Sequence, residues 1–198
     1  MRLISLARCA IIATVLFSSA AAAAPDPAAA LAEFIKPLLV LPADSGGAWE
    51  DLEKVPAVRW AAGPPTMLDK PSPDGNFFAR PGQATVGGRS LGIVASGARS
   101  MVFSIYLRDS APPMEPEALI AGFRQAGFVV TPARCPISPG GTAPRRWYRL
   151  SMARKKPAIL YAGPLRSGGS GYTLYLNDLP PLTPSEAALY TDKCPSNG

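Results

Sequence analysis

Two stretches of the chain repeat one phrase, YLRDSAPPMEPEAL at 106–119 and YLNDLPPLTPSEAAL at 175–189. The similarity extends upstream, where FSIYLRD at 103–109 matches YTLYLND at 172–178. Downstream, each copy runs through an alanine-containing amphipathic segment to a basic residue followed by Cys-Pro. Such an ordered series of matches is typical of a duplicated structural unit, so the repeat sets the expected fold.

Alternating apolar and polar residues predict the strands of each copy. Residues 103–108 and 172–177 alternate with the period of a half-buried strand. A second strand is predicted before each of them, at 90–95 and 157–162, and a third at RRWYRLSM, 145–152. These segments are expected to pair as an antiparallel sheet.

Proline and glycine mark the helix that follows each pair of strands. Pro116 and Pro184 stand where a first helical residue needs no N–H, and residues 183–186 spell a capping box. Gly127 offers a left-handed stop, so the first helix is expected to end there. The second helix is expected over 184–192.

The expected architecture is α+β, with duplicated β-β-α units forming an antiparallel sheet and helices on one face. Residues 83–198 carry this core, in units of about 83–136 and 143–195. Residues 25–82 are expected to form short helices and irregular structure packed on the core, because proline, glycine and aspartate are frequent there. Residues 1–24 are expected to be a signal peptide.

The start of the chain has the three parts of an export signal. Arg2 and Arg8 precede an apolar run at 9–17, and the small residues of 18–24 offer cleavage sites before Pro25. No segment of the chain has about 18 uninterrupted apolar residues, so no transmembrane segment is expected in the mature protein. The sequence therefore predicts a periplasmic or secreted protein.

Two short helices are expected within the N-terminal segment. Asp26 is a typical N-cap, and Pro27 follows it in the first helical position. AWEDLEKV at 48–55 favours a second helix. From 63 to 82 the chain is rich in proline and glycine, and irregular structure is expected there.

Charge is unevenly distributed along the mature chain. Residues 25–78 have a net charge of −4, whereas residues 79–198 have a net charge of +8. Such polarity either holds the two parts together or attracts an anionic partner to the basic part.

The expected mature chain keeps two cysteines, Cys135 and Cys194, because Cys9 lies in the signal. An even number in an oxidising compartment predicts a disulfide. It would close a loop of about 60 residues and stabilise the fold by about 4 kcal/mol in the chain-entropy model. A redox pair is the alternative, but the chain has no C-x-x-C motif.

The sequence lacks the residues of several catalytic classes. It contains no histidine, which excludes Ser-His-Asp triads and Cys-His dyads. Nucleotide-binding loops and the nucleophile elbow are also absent from the sequence. Asp109 and Asp178 recur at one position of the repeat, yet each precedes a Pro-Pro turn, where aspartate commonly caps its own backbone. We expect no catalytic residues, no cofactor and no metal site.

A basic and aromatic hairpin is the strongest binding signal. Strand period places Tyr148 and Leu150 on the core face of 145–152. It places Arg145, Trp147 and Arg149 on the other face. Guanidinium groups on both sides of an exposed indole are expected to stack on it, or to meet an anionic partner. The alternative is a solvated surface that neutralises the acidic N-terminal segment. The candidate binding residues are Arg145, Trp147, Arg149, Arg154, Lys155 and Lys156.

Tyr106 and Tyr175 form a second candidate binding surface. Both lie opposite the predicted core face of their strands, so they line an open sheet face if helices cover only one side. The alternative is that the N-terminal segment folds over this face.

Together these features predict an exported, non-catalytic binding or envelope-associated protein. Its partner is expected to be a protein or an anionic envelope component, lipid or polysaccharide, while export argues against nucleic acid. Two alternatives remain: a hydrolase that uses Asp, Ser or Tyr without histidine, and a structural subunit of an envelope complex.

Overall fold

A computed structural model of the protein describes residues 26–39, 49–68, 77–99, 101–137, 145–153, 157–176 and 179–194. Within these ranges four helices accompany the strands: α1 (Pro27–Leu38), α2 (Trp49–Glu53), α3 (Pro116–Gln125) and α4 (Pro184–Ala187). The fold is α+β, as the sequence predicts.

The described residues form ten strands of one antiparallel sheet. They are β1 (Val58–Trp60), β2 (Thr66–Met67), β3 (Phe78–Val86), β4 (Arg89–Gly97), β5 (Val102–Asp109), β6 (Val129–Pro136), β7 (Arg146–Ser151), β8 (Ala158–Pro164), β9 (Ser170–Tyr175) and β10 (Tyr190–Thr191). Their order across the sheet is β1-β3-β4-β5-β9-β8-β7-β6-β10, and β2 pairs with β3.

The two copies of the repeated phrase meet at the centre of the sheet. β5 pairs with β9, and Ile105 lies opposite Leu174. These two residues hold equivalent positions in the repeat, so the register is symmetric about them: Ser104 faces Tyr175, and Tyr106 faces Thr173. β4 and β3 follow on one side, as β8 and β7 do on the other.

The copies differ after their central strands, and duplication of the whole β-β-α unit is not confirmed. In the first copy, α3 leads to the eight-residue strand β6. In the second, α4 has four residues and leads to a two-residue strand, β10, which pairs with β6. The expected helix over 184–192 is wrong beyond Ala187, because Leu189 accepts a backbone hydrogen bond from Ile137 and Tyr190 is buried.

One face of the sheet carries the main core and the two longer helices. Ile105, Leu107 and Leu174 have no exposed surface, and Tyr172 is 2 % exposed, as the strand period predicts. The helices α1 and α3 pack on each other and on this face. Their closest approach is at Gly122, where a Cβ atom would lie 2.5 Å from the Cβ of Ala28.

The other face carries a smaller buried cluster under the end of the chain. Residues 179–194, which we call the C-terminal strap, lie over β7 and β8 and include α4 and β10. The buried members of the cluster are Ala133, Trp147, Ile159 and Tyr190. The expectation of helices on one face is therefore wrong for α4, because its segment covers the face opposite α1 and α3.

The N-terminal segment is more regular than its composition indicates. The helices α1 and α2 form as predicted, and the carboxylate of Asp26 caps the first by accepting the amide hydrogen of Ala28. However, β1, β2 and the start of β3 fall within 25–82, where irregular structure was expected. Proline is tolerated in β3 because Pro81 lies between the parts of β3 that pair with β1 and β2.

Cys135 and Cys194 form the predicted disulfide, with their Cα atoms 5.2 Å apart. The bond joins the end of β6 to the end of the strap, and it is compatible with an oxidising extracellular compartment. The predicted signal, residues 1–24, lies outside the described residues. Among the helices of the described ranges, none is long and apolar enough to cross a membrane.

Gly122→Ala is expected to destabilise the protein although alanine has the higher helix propensity. The added methyl group would overlap the backbone of α1, and overpacking of this kind costs about 1–3 kcal/mol. The control is Gly92→Ala, since a Cβ there meets only the Cβ of Arg108, at 3.9 Å. Urea denaturation of both variants provides the measurement, and equal midpoints would contradict the close approach of α1 and α3.

Candidate binding site

The C-terminal strap is fastened to β6 at three adjacent points. The disulfide holds its end, and the two residues of β10 pair with Pro136 and Cys135. Next to them, Arg134 Nε donates to Asp192 Oδ1 at 2.6 Å, and another nitrogen of the same guanidinium donates to the Pro180 carbonyl. The Arg134 side chain is 1 % exposed, so the attachment is buried beneath the strap.

Trp147 lies under the strap, which corrects its predicted exposure. The residue is 3 % exposed, and its ring centroid lies 4.1 Å from that of Tyr161 and 6.0 Å from that of Tyr175. The guanidinium stacked on the indole belongs to Arg134, 4.4 Å from the ring centroid. Strand period placed Trp147 on the correct face, but the strap covers that face and excludes Trp147 from a partner's reach.

A cleft beside the strap is lined by two arginines that have no ion-pair partner among the described residues. Arg145 precedes β7, and Arg166 lies in the loop between β8 and β9. The cleft has a volume of about 380 Å³, and we call it the Arg145–Arg166 cleft. Its other lining residues are Tyr161, Pro164, Leu165, Ser185, Glu186 and Leu189, of which the last three belong to the strap.

Arg145 is held in place by aromatic residues. Its guanidinium carbon lies 5.2 Å from the ring centroid of Tyr161, and Nη1 donates to the Tyr161 hydroxyl. The hydroxyl of Tyr190 donates to the Arg145 carbonyl at 3.0 Å. The aromatic cluster therefore fixes both the backbone and the side chain of this arginine, which lowers the entropy that binding would cost.

The Arg166 loop is shaped by glycine. Gly168 and Gly169 have φ values of +84° and +82°, in the left-handed region that favours glycine. A Cβ on Gly169 would also lie 2.3 Å from the Asp109 carbonyl oxygen, so the loop approaches β5 closely. The turn places the exposed Arg166 across the cleft from the strap.

The arginines fall into paired and unpaired sets. Arg80, Arg89 and Arg134 pair with Glu53, Asp109 and Asp192, respectively. By contrast, no carboxylate of the described residues lies within 4.0 Å of the guanidinium nitrogens of the other described arginines, which are Arg59, Arg99, Arg108, Arg124, Arg145, Arg146, Arg149 and Arg166. Arg145 and Arg166 are distinguished from the rest because they line one cleft.

The cleft retains positive charge despite the presence of Glu186. That carboxylate accepts hydrogen bonds from the backbone amide and the hydroxyl of Thr183, in the predicted capping box. Neither Arg145 nor Arg149 pairs with a described acidic residue of 25–78.

Of the remaining candidates of the basic hairpin, the structure describes Arg149. Arg149 is exposed in β7, between Thr131 of β6 and Ile159 of β8. Arg154, Lys155 and Lys156 lie outside the described residues.

Tyr106 and Tyr175 share the predicted face of the sheet but not the same surroundings. Tyr175 packs into the Trp147 cluster beneath the strap. The half-buried ring of Tyr106 lies over β9, where a Cβ on Gly171 would be 3.4 Å from Tyr106 Cε2. The helices α1 and α2 pack on the opposite face, so these parts of the N-terminal segment do not cover Tyr106.

The repeated aspartate has a structural role where it is described. Asp109 is 3 % exposed, and its Oδ1 accepts the Ala111 amide hydrogen at 2.9 Å, as predicted for the turn. Its Oδ2 accepts a hydrogen bond from Arg89 at 3.3 Å. Asp178, the expected second carboxylate, lies outside the described residues. Asp109 is thus engaged in the turn and in an ion pair.

Sequence reasoning missed Arg134 and Arg166. A signal for Arg134 exists, since a basic residue precedes Cys-Pro in both copies of the repeat. Arg166 stands in a glycine- and serine-rich loop that resembles a linker, and only the pairing of β8 with β9 places it at the cleft. Comparison of the chain with protein-family models, curated proteins and solved structures found no match.

Arg134→Met is expected to lower the free energy of unfolding by about 2 kcal/mol. The substitution removes a charge-assisted hydrogen bond and the stacking on Trp147, while methionine retains the packing of the stem. Arg149→Met is the matched control, because Arg149 is exposed on the neighbouring strand. Equal stability of both variants in chemical denaturation would show that Arg134 does not fasten the strap.

Three buried tyrosines and the partly buried Tyr175 predict a loss of stability in alkaline solution. Burial raises the pKa of Tyr148, Tyr172, Tyr175 and Tyr190. Tyrosines of the unfolded chain lose their protons at about pH 10, while these four tyrosines of the folded chain still retain theirs. The contribution of the four tyrosines to the free energy of unfolding is therefore complete below that pH and is lost as the pH rises above it. Tyr175→Phe should reduce the slope of unfolding free energy against pH between 9.5 and 11, as measured in urea. An unchanged slope would contradict the partial burial of Tyr175.

Proposed function

We propose that this is an exported, non-catalytic binding protein of the cell envelope that engages an anionic partner through arginines near the C-terminal strap. Arg145 and Arg166 carry the site, and Arg149 adds positive charge on the same side of β7. The basic residues Arg154, Lys155 and Lys156 belong to the same proposal through the sequence alone.

The observation that carries the proposal is the Arg145–Arg166 cleft itself. Both guanidinium groups lack a carboxylate partner among the described residues, and Arg145 is pre-positioned by Tyr161. A guanidinium group presents a planar set of donors that matches the oxygens of carboxylate, sulfate or phosphate groups. Two such groups across one cleft favour a partner with several negative charges.

Export has separate support. The sequence of 1–24 has the parts of a signal peptide, and the Cys135–Cys194 disulfide suits an oxidising compartment. A protein outside the cytoplasm meets anionic lipids and polysaccharides before it meets nucleic acid.

The duplicated origin of the core also remains a proposal. The symmetric register about Ile105 and Leu174 supports duplication of the strand pair, together with the repeated phrase. The different lengths of α3 and α4 limit the duplication to the strands and the turn that follows them.

Removal of three arginines tests the proposed function. The 25–198 chain and its R145Q/R149Q/R166Q variant would be titrated with dextran sulfate at low and high salt. Each arginine near an anionic surface contributes about 1 kcal/mol to the free energy of binding. Loss of three arginines should therefore weaken binding of the variant about 100-fold at low salt. High salt should weaken the wild type in the same way.

The matched control is R59Q/R99Q/R124Q, which removes the same charge from exposed arginines elsewhere in the described structure. It is expected to bind close to wild type. If both triple variants lose the same affinity, only net charge matters and the cleft is not the site.

A further inference from the structure

Two large aliphatic side chains are exposed side by side where the strap pairs with the end of β6. Ile137 is 53 % exposed and Leu189 is 50 % exposed. The Ile137 amide donates to the Leu189 carbonyl at 3.0 Å, which extends the pairing of β6 with β10 by one residue. Because side chains alternate along a ribbon, these two project away from the buried Tyr190 and lie about 5 Å apart at Cβ.

This aliphatic pair adjoins the arginines of the proposed site. Leu189 lines the Arg145–Arg166 cleft, so one side chain belongs to both features. Other exposed aliphatic residues, such as Met67 and Leu68, lie near β2 at the other end of the sheet. Single exposed aliphatic residues are ordinary, but a neighbouring pair beside two arginines that lack a described carboxylate partner forms a surface that is both apolar and basic.

The chemistry of this surface distinguishes between anionic partners. A soluble polysaccharide offers negative charge and hydroxyl groups, and gains little from aliphatic side chains. A bilayer surface offers lipid phosphates to arginine and, a few ångströms deeper, an apolar boundary to isoleucine and leucine. Only the second partner uses both halves of the surface.

We infer that the protein docks on membranes that contain anionic phospholipid. Ile137 and Leu189 enter the boundary between headgroups and acyl chains, while Arg145 and Arg166 bind lipid phosphates. This inference rests on the proposed function, because it uses the same two arginines. The inference identifies the anionic partner as a phospholipid bilayer. It also assigns Ile137 and Leu189 the role of favouring a bilayer over a soluble polysaccharide.

The disulfide gives this surface its rigidity. Ile137 lies two residues after Cys135, and Leu189 lies five residues before Cys194. The covalent bond and the β6–β10 pairing therefore present both aliphatic side chains from one fixed ribbon. A pre-organised surface loses less conformational entropy on docking than a flexible one.

Vesicle sedimentation tests the inference with the 25–198 chain. Wild type, I137S/L189S and M67S/L68S would be incubated with phosphatidylcholine vesicles, with and without one quarter phosphatidylglycerol. Wild type should bind only the anionic vesicles, and I137S/L189S should bind them at least about tenfold more weakly. The control M67S/L68S, which loses two exposed aliphatic side chains at the opposite end, should bind like wild type.

Dextran sulfate separates this inference from the proposed function. The single variant I137S keeps every arginine and every residue that lines the cleft, so it should bind dextran sulfate like wild type but anionic vesicles more weakly. If I137S/L189S binds anionic vesicles like wild type, the aliphatic pair has no role and the inference fails alone. If wild type binds dextran sulfate but no vesicle, the partner is a polysaccharide and the inference is again overturned. Binding to neither probe would overturn the proposed function itself.

A second variant measures insertion directly. Leu189→Trp places an indole at the expected depth, and vesicles with brominated acyl chains should quench its added fluorescence. Quenching beyond that of wild type supports insertion at Leu189. Vesicle binding without added quenching would show that this side chain stays outside the bilayer, contrary to the inference.

Discussion

The attachment of the C-terminal strap to β6 determines which surfaces this protein exposes. Within a few residues, a disulfide, a buried arginine and a two-residue strand join segments that are 59 positions apart in the chain. Closing so long a loop limits the unfolded ensemble more than the folded one, which is how a disulfide stabilises. With the strap in place, Trp147 is buried and the Arg145–Arg166 cleft has its second wall.

The strap also explains why two copies of one phrase have different structures. The central strands obey the same local pattern, and both pair in the middle of the sheet. After the turn, the first copy has an apolar helical face, with Leu119 and Phe123 buried in the main core. The second copy has no buried residue in α4, and its burial comes from Tyr190 instead.

Most features formed by residues close together in the sequence were predicted correctly, whereas most features that depend on contacts between distant residues were not. Strand period identified the buried faces around Ile105 and Leu174. Capping residues located the start of α1 and both ends of α3. The exposure of Trp147 was predicted wrongly because it depends on the strap, which is distant in sequence. The start of β3 was missed for a similar reason, because proline is unusual within a strand. Pro81 is tolerated since it lies between the parts of β3 that pair with β1 and β2, and this placement depends on the assembled sheet.

The residues of the candidate site also divide into those that a local sequence pattern predicted and those that only the assembled sheet brings together. Arg145 and Arg149 were found from a local pattern of basic and aromatic residues. Arg166 and the Ile137–Leu189 pair join them only when β8 pairs with β9 and β10 pairs with β6. A single sequence contains no periodic signal for such contacts, because each residue lies in a loop or at a strand end.

The affinity of a C135S/C194S/R134M variant of the 25–198 chain for anionic vesicles tests most directly whether the strap forms the binding surface, because the variant loses both the disulfide and the Arg134 contacts of the strap. Its circular dichroism would be recorded alongside, to establish that the sheet is retained. If the strap builds the site, the variant keeps its strand signal and binds at least about tenfold more weakly than wild type. A folded variant with unchanged affinity would contradict the claim that the strap forms the binding surface.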